Sequence, residues 1–203
     1  MTRVRDAEAT KKAILSAAEA TFLSQGYGGA SLSEIARRAG VTKSLIHHHF
    51  GSKGDLWHQV KLHRFSEYSG QQMRMLQEGR PTPELLRDSV EAYFRFLQRS
   101  PEMVRMLAWI YLELDEGDER HLGDELTELG IQRLRQGQEA GVLRNDVDAR
   151  SVLFCFLGQI QSWFQNHRVH EQFYRSQGIT EEQMDESFLQ DMLKIFMEGL
   201  LPR

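Results

Sequence analysis

The twenty-three residues from Ser31 to Lys53, SLSEIARRAGVTKSLIHHHFGSK, constrain this chain more than any other stretch. Ser31 is a good N-cap and Glu34 follows three positions later, the spacing of a capping box. Leu32, Ile35, Ala36 and Ala39 then recur at helical spacing and give a short helix one apolar face. Gly40 falls where a left-handed C-terminal residue is wanted, and Val41 can plug the turn. Thr42 is a second N-cap, opening a helix whose inward residues are Leu45 and Ile46, with Phe50 closing the unit. The opposite face carries Thr42, Lys43, Ser44, His47 and His48, all able to hydrogen-bond. A helix, a short glycine-containing turn and a second helix with a polar outer face make a helix-turn-helix, the arrangement that lays a helix in the major groove of DNA.

Helical patterning extends through the rest of the chain, with no period-2 apolar runs bounded by hairpin turns. A first helix is predicted over Ala7 to Gln25, with Ile14, Ala18 and Phe22 on one face, Gly26 ending it and a basic arm at Arg3 and Arg5 before it. Ser52 and Asp55 open a long helix, Lys53 to about Gln77. Helices follow over Thr82–Arg99, Glu102–Leu114 and Leu126–Ala140, then Asp148 to about His167 and Thr180 to about Leu200, the last with Gln183 completing a capping box. The acidic stretch Asp115–Asp124 suits a solvated loop better than a metal site. The expectation is an all-α protein of about nine helices: a three-helix DNA-binding domain over 1–52, then a larger helical domain over 53–203, to which the resemblance given below assigns effector binding and dimerisation.

The net charge of −4 argues against DNA binding when averaged over the 203 residues. Its distribution argues the other way. Residues 1–60 hold 8 Lys/Arg against 5 Asp/Glu, whereas residues 61–203 hold 17 against 24. A basic end on an acidic body fits a nucleic-acid reader joined to a part with a different task. No apolar run approaches the ~20 residues that span a bilayer, and the N-terminus lacks the apolar core of a signal peptide, so a cytoplasmic location without membrane contact is expected. Cys155, the single cysteine, lies in the apolar run Val152–Leu157 and reads as a buried, inert thiol. His47, His48 and His49 point about 100° apart on a helix and cannot converge on one metal ion. No phosphate loop, nucleophile elbow or His-Glu-x-x-His is present, so neither catalytic residues nor a cofactor are expected.

The motifs Ala13-Ile14-Leu15, Ala18, Phe22, Gly26-Tyr27, Ser31 to Ala36, Ala39-Gly40-Val41, Lys43 to Phe50 and Ser52-Lys53 with Leu56 together resemble the tetracycline-repressor (TetR) family of bacterial regulators. The resemblance covers about fifty residues; the remainder matches as an all-helical body of the usual length. It implies a homodimer that binds operator DNA near its own promoter and is released by a small molecule. Two positions depart from the family pattern: Leu45 stands where Thr is frequent, and His47 where a Tyr usually reaches a phosphate. An imidazole can replace that hydroxyl, more strongly when protonated, which would make operator affinity depend on pH near neutrality.

Recognition helices read base edges with their first residues, so Lys43 and Ser44 are the candidates for bases. Thr42, His47 and Lys53 are candidates for phosphates, with Ser31, Tyr27 and Arg5 as weaker ones. His48 can reach DNA, while His49 would pack under Phe50. Tyr93, Met103, Met106, Trp109, Ile110, Phe154 and Trp163 are candidates to line a mostly apolar effector pocket, and Arg64 and Arg105 to anchor an acidic ligand. Phe156, Ile160, Phe164, Phe188, Met192 and Phe196 are expected at a four-helix dimer interface. The rival reading, a helical lipid- or small-molecule-binding protein without a DNA role, leaves the polar face of residues 42–48 unexplained.

Overall fold

A computed structural model describes residues 2–79, 81–113 and 124–202, with the side chains of 2–6, 67 and 124 excepted. The described residues are helical throughout, with no strand among them: α1 (Thr2–Gly29), α2 (Leu32–Ala39), α3 (Lys43–Phe50), α4 (Lys53–Glu78), α5 (Pro83–Arg99), α6 (Pro101–Leu112), α7 (Asp124–Glu139), α8 (Ala149–Gln165), α9 (His167–Arg175) and α10 (Glu181–Leu200). They form two compact units. One comprises residues 1–66 with 105–122, the other 67–104 with 123–203. The boundary expected at residue 52/53 falls instead inside α4, because the first turns of that helix complete the core of the first unit, the head.

That core is built by the residues the periodicity picked out. Ile14, Ala18 and Phe22 of α1, Ile35 of α2, Ile46 of α3 and Leu56 of α4 are fully enclosed, with Trp57 and Val60 nearly so. The Phe22 ring lies 4.8 Å from that of Trp57. Two boundaries of α1 differ from expectation. The helix begins at Thr2 rather than Ala7, because nothing between them breaks it, so Arg3 and Arg5 continue the helix instead of forming an arm; their side chains, and the weaker phosphate expectation on Arg5, lie outside the described residues. Gly26 does end the regular helix, with φ 73° and ψ 176°, a backbone region essentially reserved for glycine.

In the second unit α5 buries Leu86, Val90, Tyr93, Phe94 and Leu97. Asp148 caps α8 and Thr180 caps α10, the latter with the full capping box to Gln183. The apolar run after Asp148 does not reach His167: Asn166 turns the chain, its side-chain nitrogen donating to the Ser162 carbonyl at 2.9 Å, and the short helix α9 follows. Helices α8 and α10 pack antiparallel, with Phe156 against Phe196 at 5.9 Å and Trp163 flat against Phe188 at 3.9 Å. The acidic loop expected at Asp115–Asp124 lies almost wholly outside the described residues.

Candidate nucleic-acid interface

The turn between α2 and α3 is set by its caps. Ser31 Oγ accepts from the Glu34 amide at 3.2 Å, and Thr42 Oγ1 from the Leu45 amide at 3.3 Å. Gly40 is left-handed at φ 67°, and the Val41 amide closes back on the Ala36 carbonyl at 3.0 Å. The capping box expected at Ser31 is only half made. Glu34 takes Arg37 and Arg38 as partners instead, accepting at 2.7–2.9 Å, because guanidiniums three and four residues on lie over the same face. First Arg37 and then Arg38 hold its carboxyl down to about 2.

With Ile46 and Phe50 turned inward, α3 presents Lys43, Ser44, His47 and His48 to solvent together with Thr42. Thr42 and Ser44 share a hydrogen bond of 2.9 Å between their hydroxyls. His49 is half-buried, its ring 6.3 Å from that of Phe50. Among the described residues no three His, Cys, Asp or Glu side chains are grouped to hold a metal. His47 Nδ1 lies 2.7 Å from the Gly51 carbonyl oxygen. A carbonyl only accepts, so Nδ1 carries the proton. The outward Nε2 of the neutral ring is then an acceptor, and it donates to a phosphate only when the ring is protonated.

At the start of α4, Ser52 and Asp55 make the reciprocal box: the Asp55 amide donates to Ser52 Oγ at 3.0 Å, and the Ser52 amide and hydroxyl donate to the Asp55 carboxylate at 3.0 and 2.6 Å. A carboxylate thus occupies the free amides at the start of α4, and the cation beside it is Lys53. Its ammonium sits 4.4 Å over the Tyr27 ring, a cation–π contact that fixes its direction. Tyr27, one of the weaker phosphate candidates, thus turns its ring to Lys53. Missed by sequence reasoning was what holds Tyr27. The Glu113 carboxylate accepts from the Tyr27 amide at 2.5 Å and the Gly28 amide at 3.1 Å, and Trp109 Nε1 donates to the Leu23 carbonyl at 3.3 Å.

Trp109, Met106 and Ile110 belong to the head unit, whereas Tyr93, Met103, Phe154 and Trp163 belong to the other. Arg64 pairs with Glu19 inside the head. Phe154, expected in a pocket, is 55% exposed, and Cys155, expected to be buried, is exposed. Both lie on the side of α8 opposite Val152, Leu153, Phe156 and Ile160, as 100° per residue requires. Trp163 is sandwiched between His170 and Phe188, and its Nε1 donates to the Asp185 carboxylate at 2.8 Å. The six residues expected to face a second copy turn into their own unit instead: Phe156, Ile160 and Met192 are buried, and Phe164, Phe188 and Phe196 are half-buried against its rings. The Phe156, Ile160 and Met192 side of these two helices is covered within the chain.

A head whose two short helices α2 and α3 meet at a tight turn, with a polar, solvent-facing second helix and a lysine beside it, defines a helix-turn-helix DNA-binding protein. A family model described as "Bacterial regulatory proteins, tetR family" matches residues 14–60, and one described as "Tetracyclin repressor-like, C-terminal domain" matches residues 86–187. The chain belongs to the TetR family and is a DNA-binding transcriptional regulator. It is 29% identical over 156 residues to the HTH-type transcriptional repressor SCO4008 of Streptomyces coelicolor, covering 75% of this chain and 77% of that one. Two solved structures share the fold: the TetR family regulator PfmR of Thermus thermophilus (TM-score 0.67, 22% identity, 94% and 96% of the two chains covered) and FadR of Bacillus subtilis in complex with stearoyl-CoA (0.66, 17%, 93% and 98%). Among the described residues no helix is long and apolar enough to cross a membrane.

Proposed function

We propose that this regulator is a repressor that binds a twofold-symmetric operator as a homodimer and leaves it when a small molecule enters the second unit. The observation that carries the DNA half is the exposed face of Thr42, Lys43, Ser44, His47 and His48 on a helix held rigidly by Ile46 and Phe50. Lys43 and Ser44 read bases from the first turn; Thr42, His47 and Lys53, with Ser31, take phosphates. The named relative SCO4008 is a repressor, which favours that sense of regulation.

Dimerisation falls to the other faces of α8 and α10. Phe154, Cys155, Gly158 and Ser162 on α8 and Ile195 and Gly199 on α10 are all exposed, and a Cβ built on either glycine meets nothing. Large apolar groups next to small ones suit two helix pairs meeting about a twofold axis. For the effector, the second unit buries polar groups among its apolar ones. Gln161 Nε2 donates to the Tyr93 hydroxyl at 2.7 Å, the Gln72 amide donates to Ser89, and the Gln72 carbonyl oxygen is buried with no hydrogen-bond partner. An effector with an apolar body and a hydrogen-bond donor would satisfy that oxygen. The FadR neighbour of the same fold is in complex with stearoyl-CoA, which supports an effector with an apolar body. Gln72 and Lys53 stand on the same helix, so a ligand that favours a shifted α4 alters the separation of the recognition helices.

Footprinting of the DNA upstream of the protein's own reading frame tests the proposal. A protected site with twofold symmetry, lost with Lys43→Ala, is expected; no protection at low salt refutes it.

A further inference from the structure

The contact between α6 and the elbow of α1 has more in it than packing. Three features coincide there. Gly26 has φ 73°, and a Cβ on it would stand 2.7 Å from the Glu113 carboxylate and 2.8 Å from the Trp109 ring. The carboxylate receives two successive backbone amides, Tyr27 and Gly28, one on each oxygen. The Trp109 indole closes the other side on Leu23. The residue so gripped, Tyr27, carries the Lys53 ammonium on its ring and stacks on Phe22 at 6.1 Å. The chain of contacts runs Glu113, Tyr27 amide, Tyr27 ring, Lys53, and it ends at the first residue of α4, on the DNA-facing side of the head.

We propose that Glu113 is a positioning residue for operator binding: by fixing Tyr27 it aims Lys53 at a phosphate, and it ties that grip to helix α6 by a route separate from α4. This rests on Lys53 contacting a phosphate, as in the function given above. Two charge-assisted amide bonds place the Tyr27 backbone, and the cation–π contact passes that placement on to a side chain with four rotatable bonds. Lys53 is thereby preordered, and what it contributes to DNA affinity depends on Glu113 staying where it is. Because α6 begins at Pro101, in the second unit, any ligand that shifts α6 also loosens Lys53.

The test is a double-mutant cycle on the full-length protein, with Glu113→Gln and Lys53→Gln singly and together. The probe is the duplex protected in the footprint, titrated between about 50 and 200 mM salt. A lysine that meets a phosphate contributes about one counterion to the salt dependence. A homodimer presents Lys53 twice, so Lys53→Gln should weaken binding at least about tenfold and lower the slope of log affinity against log salt by about two. Glu113→Gln keeps the shape but has one acceptor for two amides; it should weaken binding several-fold with the same loss of slope, and the double variant should be no weaker than Lys53→Gln alone. Melting curves check that each variant is folded, and Glu113→Asp, which keeps the carboxylate but shortens its reach to the two amides, enters the same cycle if Glu113→Gln is not. A Glu113 variant that keeps the wild-type slope, or losses that multiply in the double variant, overturns the proposal. A wild-type protein with no salt-dependent duplex binding overturns the DNA-binding role of this face as well.

Discussion

His47 shows how one local bond changes the chemistry of a contact. Because Nδ1 donates to the Gly51 carbonyl, a neutral His47 offers DNA only a lone pair, and a phosphate repels it; the imidazolium offers an N–H and a charge. His47→Tyr, whose hydroxyl donates without needing a charge, should tighten duplex binding in fluorescence anisotropy at constant salt and constant pH; equal or weaker binding by the variant would show that no phosphate is met at this position. Lys43 and Lys53 should separate by a different readout: Lys43→Ala shifts preference among sequences by about 1–3 kcal/mol at one base pair, whereas Lys53 variants weaken all sequences alike. The polar face, the caps at Thr42 and Ser52 and the turn at Gly40 were legible because each is a signal within four residues. The Ser31 box was misread for the same local reason, since Arg37 and Arg38 compete for Glu34 from one turn further on.

Helix α4 is tied at both ends by groups no local pattern announces. Its start is boxed by Ser52 and Asp55. Its last carbonyls, Leu76 and Gln77, accept from the Arg133 guanidinium of α7 at 2.6 and 2.9 Å. A second knot joins four helices at one carboxylate: Asp185, 3% exposed, accepts from Gln98 at 3.0 Å, Trp163 at 2.8 Å and His167 at 2.9 Å. Asp185→Asn keeps one acceptor and should cost the second unit about 1–3 kcal/mol in urea unfolding followed by tryptophan fluorescence. Gly26→Ala meets both the backbone restriction and the Glu113 contact, and should destabilise the head by about 1–3 kcal/mol or more. Gly26 was recognisable as a helix stop. That Trp109 and Glu113 close on it was not, since partners more than eighty residues away leave no periodic trace. Likewise Asn166 ends α8 without a glycine or proline to mark it, and Asp185 looks like any surface acid of an amphipathic helix.

For the whole molecule, the two faces of α8 and α10 divide the work. Helical periodicity shows that these helices are apolar on more than one side, but not which side meets the chain's own core. The structure gives the Phe156, Ile160 and Met192 side to the core and leaves Phe154 and Ile195, 55% and 73% exposed, on the other. A carboxylate at either exposed position should break the dimer: Phe154→Asp or Ile195→Asp should sediment as a folded monomer and bind duplex DNA without half-site cooperation. Ile160→Asp should instead unfold the unit. Whether the face of Thr42, Lys43, Ser44, His47 and His48 reads DNA as one half of a symmetric pair is tested by selecting bound duplexes from a random-sequence pool. An enriched inverted repeat is expected, with half-sites about one helical turn or a multiple of it apart, collapsing to a single half-site for Phe154→Asp and losing its sequence with Lys43→Ala. A pool that stays flat after repeated rounds at low salt would contradict that reading.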